Sequence, residues 1–161
     1  MEKKIIFKYP DDLIIEDGRI IFRNFSGKES RFNPSGVRNF CVIIDNELAE
    51  VLKGDGWRIR YLKPRDEDEA PQAYMQVAVN YAIRPPRIYM VSKKKKTLMD
   101  EESVNALDWA ELEKVDMVIH PRVWDDAGTK KVKAYCKTLY ATIKEDPFEG
   151  KYDDPDEEIP F

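Results

Sequence analysis

The chain has 161 residues, 42% hydrophobic and 36% charged, which fits one folded domain with a short appendage. No apolar run approaches the roughly 18–20 residues of a membrane-spanning helix. Met1–Lys8 carries no signal-peptide core, so a cytoplasmic protein with no membrane partner is expected.

Net charge is −4, which taken whole argues against a nucleic-acid ligand. The distribution argues the other way. Residues 145–161 hold eight acids against one base, Lys151, for a local −7, and leave +3 on residues 1–144. The expected organisation is a mildly basic domain over 1–144 and an acidic tail over 145–161.

Catalytic signatures are missing. Cys41 and Cys136 each lie in an apolar, strand-like run with no CxxC spacing, and read as buried free thiols. His120 is the single histidine and cannot build a zinc site alone. No nucleophile elbow, phosphate-binding loop or dinucleotide fingerprint accompanies it. Neither an enzyme nor a cofactor is expected.

In chain order, residues 1–19 are mixed and end in the Asp17-Gly18 turn signal. Arg19–Phe25 reads as a strand, Ser26–Gly36 as a loop, and Asn39–Ile44 as an apolar β run. Asp45 can cap a helix over Asn46–Lys53, with Leu48, Val51 and Leu52 at helical spacing and Gly54-Asp55-Gly56 ending it. Trp57–Lys63 alternates as a strand. Pro64–Pro71 is a solvated acidic loop. Tyr74–Ala82 alternates again, with Met75, Val77, Val79 and Tyr81 on one face. Pro85-Pro86 breaks the run, Arg87–Val91 resumes it, and Lys93–Lys96 reads as a basic loop. Asp100–Glu113 suggests helical turns with Val104 and Leu107 inward. Asp116–His120 is a strand leading into Pro121–Trp124, Asp126-Ala127-Gly128 is a turn, and a long strand fills Lys130–Lys144. Six or seven strands interrupted by one or two short helices fit a mainly β fold. An OB-like β-barrel with a disordered acidic C-terminal tail is expected.

The last strand carries the main functional signal. Val132, Ala134 and Cys136 share one face, and Lys131, Lys133, Tyr135 and Lys137 share the other. Cations for phosphates beside an aromatic ring for base stacking suit a sequence-tolerant binder of single strands. Arg58 and Arg60 lie opposite the apolar Trp57–Ile59–Tyr61 face. Arg87 and Tyr89 follow the Pro85-Pro86 break, and Arg122 and Trp124 follow Pro121. The plain alternative for any one of these cations is solvation of the surface.

The terminal run Asp156-Glu157-Glu158-Ile159-Pro160-Phe161 combines acids with an exposed apolar end, which a mere solubility device does not require. Acids steer such a peptide to a basic rim, and Phe161 can fill an apolar pocket there. This run resembles the acidic tip of bacterial single-stranded DNA-binding proteins. The resemblance implies docking of replication, recombination and repair proteins on Asp156, Glu157, Glu158, Ile159, Pro160 and Phe161. Gly36–Phe40, Arg84–Tyr89 and Pro121–Trp124 are similar to stretches of OB-fold single-stranded DNA-binding proteins of tailed phages. That resemblance implies single-stranded DNA as the partner and a bacterial host cell as the setting. An RNA-binding OB module, an acidic DNA mimic and a homo-oligomeric state stay open.

Overall fold

The computed structural model describes residues 11–82, 84–93 and 95–145. Among the described residues nine strands form one sheet: β1 (Leu13–Gly18), β2 (Ile20–Asn24), β3 (Arg38–Ile43), β4 (Arg60–Leu62), β5 (Gln72–Val79), β6 (Arg87–Val91), β7 (Lys96–Met99), β8 (Leu112–Asp126) and β9 (Thr129–Ile143). One α-helix, α1 (Asn46–Gly54), and one 3₁₀ turn (Val104–Asp108) interrupt them. The architecture is mainly β and OB-like.

The main path runs β1-β8-β9-β5-β3-β2, and its two end strands are neighbours in the chain. Only Arg19 separates β1 from β2, and its carbonyl accepts from Ile43 N–H at 2.9 Å. Asp17, at φ 50°, bends the chain there, so β1 serves β8 and β2 serves β3. The sheet curls back on itself through this bent segment, although no ladder joins β1 to β2 among the described residues. The pairs β5·β9 and β6·β9 are parallel, and the other ladders are antiparallel.

Alternation explains the core. Ala73, Met75, Val77 and Val79 on β5, and Val132, Ala134 and Cys136 on β9, point inward. Phe25 stacks on Phe40 inside, with centroids 5.2 Å apart. Each buried Val, Met or Phe among these contributes about 1.5–3 kcal/mol. Asp45 caps α1 by accepting from Glu47 N–H at 2.8 Å, and Ala49 and Leu52 seal the core.

Several sequence-based expectations need correction. Residues 13–18 are a full strand. Only Leu13 and Ile15 pack against the core while Ile14 faces solvent, so the apolar alternation is too short to stand out. Trp57–Lys63 shortens to Arg60–Leu62, with Trp57 making only an isolated parallel bridge to Val132. Lys96 opens β7, which pairs only with β6 among the described residues and buries Met99 alone. Asp100–Glu113 holds a single 3₁₀ turn, with Val104 and Leu107 inward as its spacing predicts. Pro121 does not end β8. It pairs with Ala134 beyond the last β1 pair, Leu13 with Ile119, where β8 has β9 as its one ladder partner among the described residues, a position that tolerates proline.

Candidate nucleic-acid interface

The β8–β9 hairpin sets the site. Its antiparallel register places Trp124 opposite Lys131, Arg122 opposite Lys133 and His120 opposite Tyr135. Directly opposed residues share a face, so these six form three rows on the side away from Val132, Ala134 and Cys136. Arg122, Lys131 and Lys133 are exposed, Tyr135 is half-buried, and Trp124 is 47% exposed. Lys133 Nζ lies 5.3 Å from the Tyr135 ring centroid. The register shifts between Val118 and Ile119, which pair with Thr138 and Cys136, so Lys137 is an extra residue in a bulge. Bulges re-aim side chains, and this one keeps Lys137 beside the same surface.

At the foot of the hairpin is a depression of about 420 Å³. β8 contributes His120 and Arg122, β9 contributes Tyr135, Cys136 and Lys137, and the β5–β6 connection contributes Asn80, Arg84 and Pro85. Asp12 reaches it from β1's leading end. Its Oδ2 accepts from Lys137 Nζ at 2.7 Å, and its Oδ1 lies 2.9 Å from His120 Nδ1. The Lys137 hydrogen bond, then that of His120, holds the Asp12 carboxyl below its ordinary value. Burial pushes the Cys136 thiol up to about 12 and the Cys41 thiol up to about 11, so both are inert free thiols, as their apolar runs predict.

The other sequence-predicted residues fall in two further groups. Tyr89 lies against Tyr140, centroids 5.0 Å apart and planes 9° apart, with Lys96 Nζ 4.7 Å from Tyr89 and 5.6 Å from Tyr140. Arg87 is exposed beside Thr138 in the same β6·β9 ladder. Arg60 pairs with Tyr74, whose ring meets Phe22 edge-on at 5.8 Å. Arg58 is exposed next to Trp57, which is buried on Val132. Arg122, Trp124, Lys133, Tyr135 and Lys137 thus come together. Arg87 and Tyr89 stand on β6 beside β9, while Arg60 stands on β4 beside β5 with Arg58 in the segment ahead of it.

Sequence reasoning left out Asp12, His120, Asn80 and Tyr140. His120 was visible as the single histidine but gave no chemistry alone. Its partner Asp12 is 108 residues away. Uninterrupted alternation puts Tyr140 on the inner face with Val132, Ala134 and Cys136, and it is the bulge at Lys137 that turns it outward. The tip residues Asp156, Glu157, Glu158, Ile159, Pro160 and Phe161 lie outside the described residues, as does Lys94. No group of three or more His, Cys, Asp or Glu side chains gathers as a metal site among the described residues.

The fold is similar to that of solved phage proteins. A single-stranded DNA-binding protein from bacteriophage Enc34, solved in complex with ssDNA, matches with a TM-score of 0.54 at 7% identity, over 85% of this chain and 89% of that chain. A C-terminal truncation of the Enc34 protein matches at 0.53 and 8% identity, over 85% and 88% of the two chains. A further structure of it matches at 0.51 and 11% identity, over 90% and 88%. At these identities the likeness is one of fold. No curated protein matches the chain. Residues 3–161 match the family model described as "Putative phage ssDNA-binding domain", and across that span the chain belongs to this family of phage single-stranded DNA-binding domains.

Proposed function

We propose that this protein binds and protects single-stranded DNA with little sequence preference during replication, recombination or repair. In the same reading, Asp156–Phe161 recruits partner proteins. The carrying observation is the β8–β9 face, where Arg122, Lys131 and Lys133 surround Tyr135 and Trp124. Lysine and arginine neutralise phosphates whatever the sequence, and each aromatic ring accepts any base. Family membership and the fold shared with the DNA-bound Enc34 protein support the same reading. The protein acts by binding, without catalysis.

Trp124 gives the assay. Oligo(dT) stacking at the hairpin quenches tryptophan emission, and affinity falls as salt rises. Competition with RNA and duplex DNA separates the rivals. Equal or better binding to duplex overturns the proposal, and preference for RNA moves it to an RNA-binding module.

A further inference from the structure

Resting on the single-strand reading above, we propose that His120 and Lys137 form a binding subsite for one backbone phosphodiester, and that the Asp12 carboxylate occupies it when DNA is absent. The register builds this arrangement. Asp12 immediately precedes the Leu13–Ile119 pair and His120 immediately follows it, so the two face each other across β1 and β8. His120 is in turn opposite Tyr135, and the bulge delivers Lys137 to the same spot. One carboxylate oxygen meets Lys137 Nζ at 2.7 Å and the other meets His120 Nδ1 at 2.9 Å. A phosphodiester presents the same kind of acceptor pair in its two non-bridging oxygens.

The surroundings favour an anion at this position. Arg84 and Arg122 line the depression beside Lys137, and no carboxylate lines it besides the approaching Asp12 among the described residues. The Tyr135 ring lies next to the subsite, so a phosphate held there puts its nucleoside within reach of the stacking surface. Asp12 does two things. It keeps the two donors aimed and the cations compensated, which lowers the ordering cost of binding. It is also easily displaced, because ion pairs with this much solvent contact contribute little. Its lowered pKa keeps it an anion at neutral pH.

The test is Asp12→Asn in the full chain, titrated with oligo(dT) at several salt concentrations. Affinity rises roughly two- to fivefold at low salt, the scale of one exposed ion pair. The salt slope steepens by up to about 0.7, one more phosphate fully neutralised. In a His120→Gln/Lys137→Gln background the same substitution produces no gain. A gain of equal size in that background overturns the proposal, because the effect is then only general charge. Unchanged or weaker binding by Asp12→Asn also overturns it. A second readout needs no variant: the ring NMR signals of His120, the single histidine, shift on saturation with oligo(dT). Unshifted signals in a saturated complex sink the subsite. If the wild-type chain binds no oligo(dT), the functional reading itself fails. If it binds and only these responses are missing, the subsite alone fails.

Discussion

Tyr135 is the residue on which most of the proposed interface converges. It faces His120 across β8, pairs with Ala78 of β5 in the parallel ladder, and carries Lys133 above its ring. Tyr135→Ala removes a stacking surface and weakens oligo(dT) binding by about 1–3 kcal/mol with the salt slope unchanged. Lys133→Ala lowers that slope by about 0.7. The two side chains touch, so the double variant departs from the sum of the singles. Isotherms at three salt concentrations separate these effects, and unchanged affinity in both variants removes the hairpin from the interface. Asp12 supplies a pH prediction. Its folded-state pKa lies below the ordinary carboxyl value near 3.8, so its contacts stabilise the fold above that pH. That contribution, at most about 1 kcal/mol for so exposed a pair, is lost as pH falls through the lowered value. Melting curves of wild type and Asp12→Asn therefore differ at pH 7 and converge near the acid limit. The sequence made the Lys131–Lys137 stripe legible because strand alternation is a local rule. The Asp12–His120–Lys137 contact depends on register between distant strands, which no local rule encodes.

At the scale of elements, β3, β5, β9 and α1 were legible because each couples a clear period to an end signal. Asp45 ahead of Leu48–Leu52 is the clearest case. The edge pieces were not legible, since β7 buries only Met99 and β8 runs through Pro121. The join between α1 and β4 shows how tightly the connection is specified. Gly56 has φ +94°, and a Cβ there would lie 2.5 Å from the Lys130 carbonyl oxygen. Its own carbonyl accepts from Val132 N–H at 3.0 Å, which ties the connector to β9. Gly56→Ala meets both a left-handed backbone and a backbone clash, and costs about 1–3 kcal/mol. Thermal unfolding reads this as a Tm lower by about 2–4 °C per kcal/mol. Gly54→Ala meets open space and leaves Tm nearly unchanged. Equal melting of all three proteins contradicts this account of the connector. Because Trp57 bridges to Val132, Gly56→Ala also disturbs the placement of Arg58 relative to Lys133 and weakens DNA binding.

The whole molecule is a charge-divided object, and the net charge of −4 describes neither part. The division has one described anchor. Glu145, at the start of the acidic run, accepts from Lys93 N–H at 3.0 Å in the β6–β7 turn, which also carries Lys95 and leads into Lys96. Glu145 therefore stands at the cationic β6–β7 turn, whose Lys96 covers the Tyr89–Tyr140 pair. We propose that acids tethered there compete with phosphates for the basic face, through mass action and the field of the body. A chain ending at Glu145 keeps the anchor and the entire described core, and changes the net charge from −4 to +2. This chain binds oligo(dT) several-fold more tightly than the full protein at low salt. The two converge toward about 1 M salt, where the Debye length is only about 3 Å. Under the proposed function it also loses capture of replication or recombination partners through Asp156–Phe161. A DNA mimic behaves in the opposite way: without its acids it loses its basic partner, and its body has no affinity for single strands. Equal affinity of full and shortened chains at low salt removes the competition and confines the acidic segment to partner capture. Failure of the shortened body to bind oligo(dT) at low salt removes the DNA-binding reading altogether.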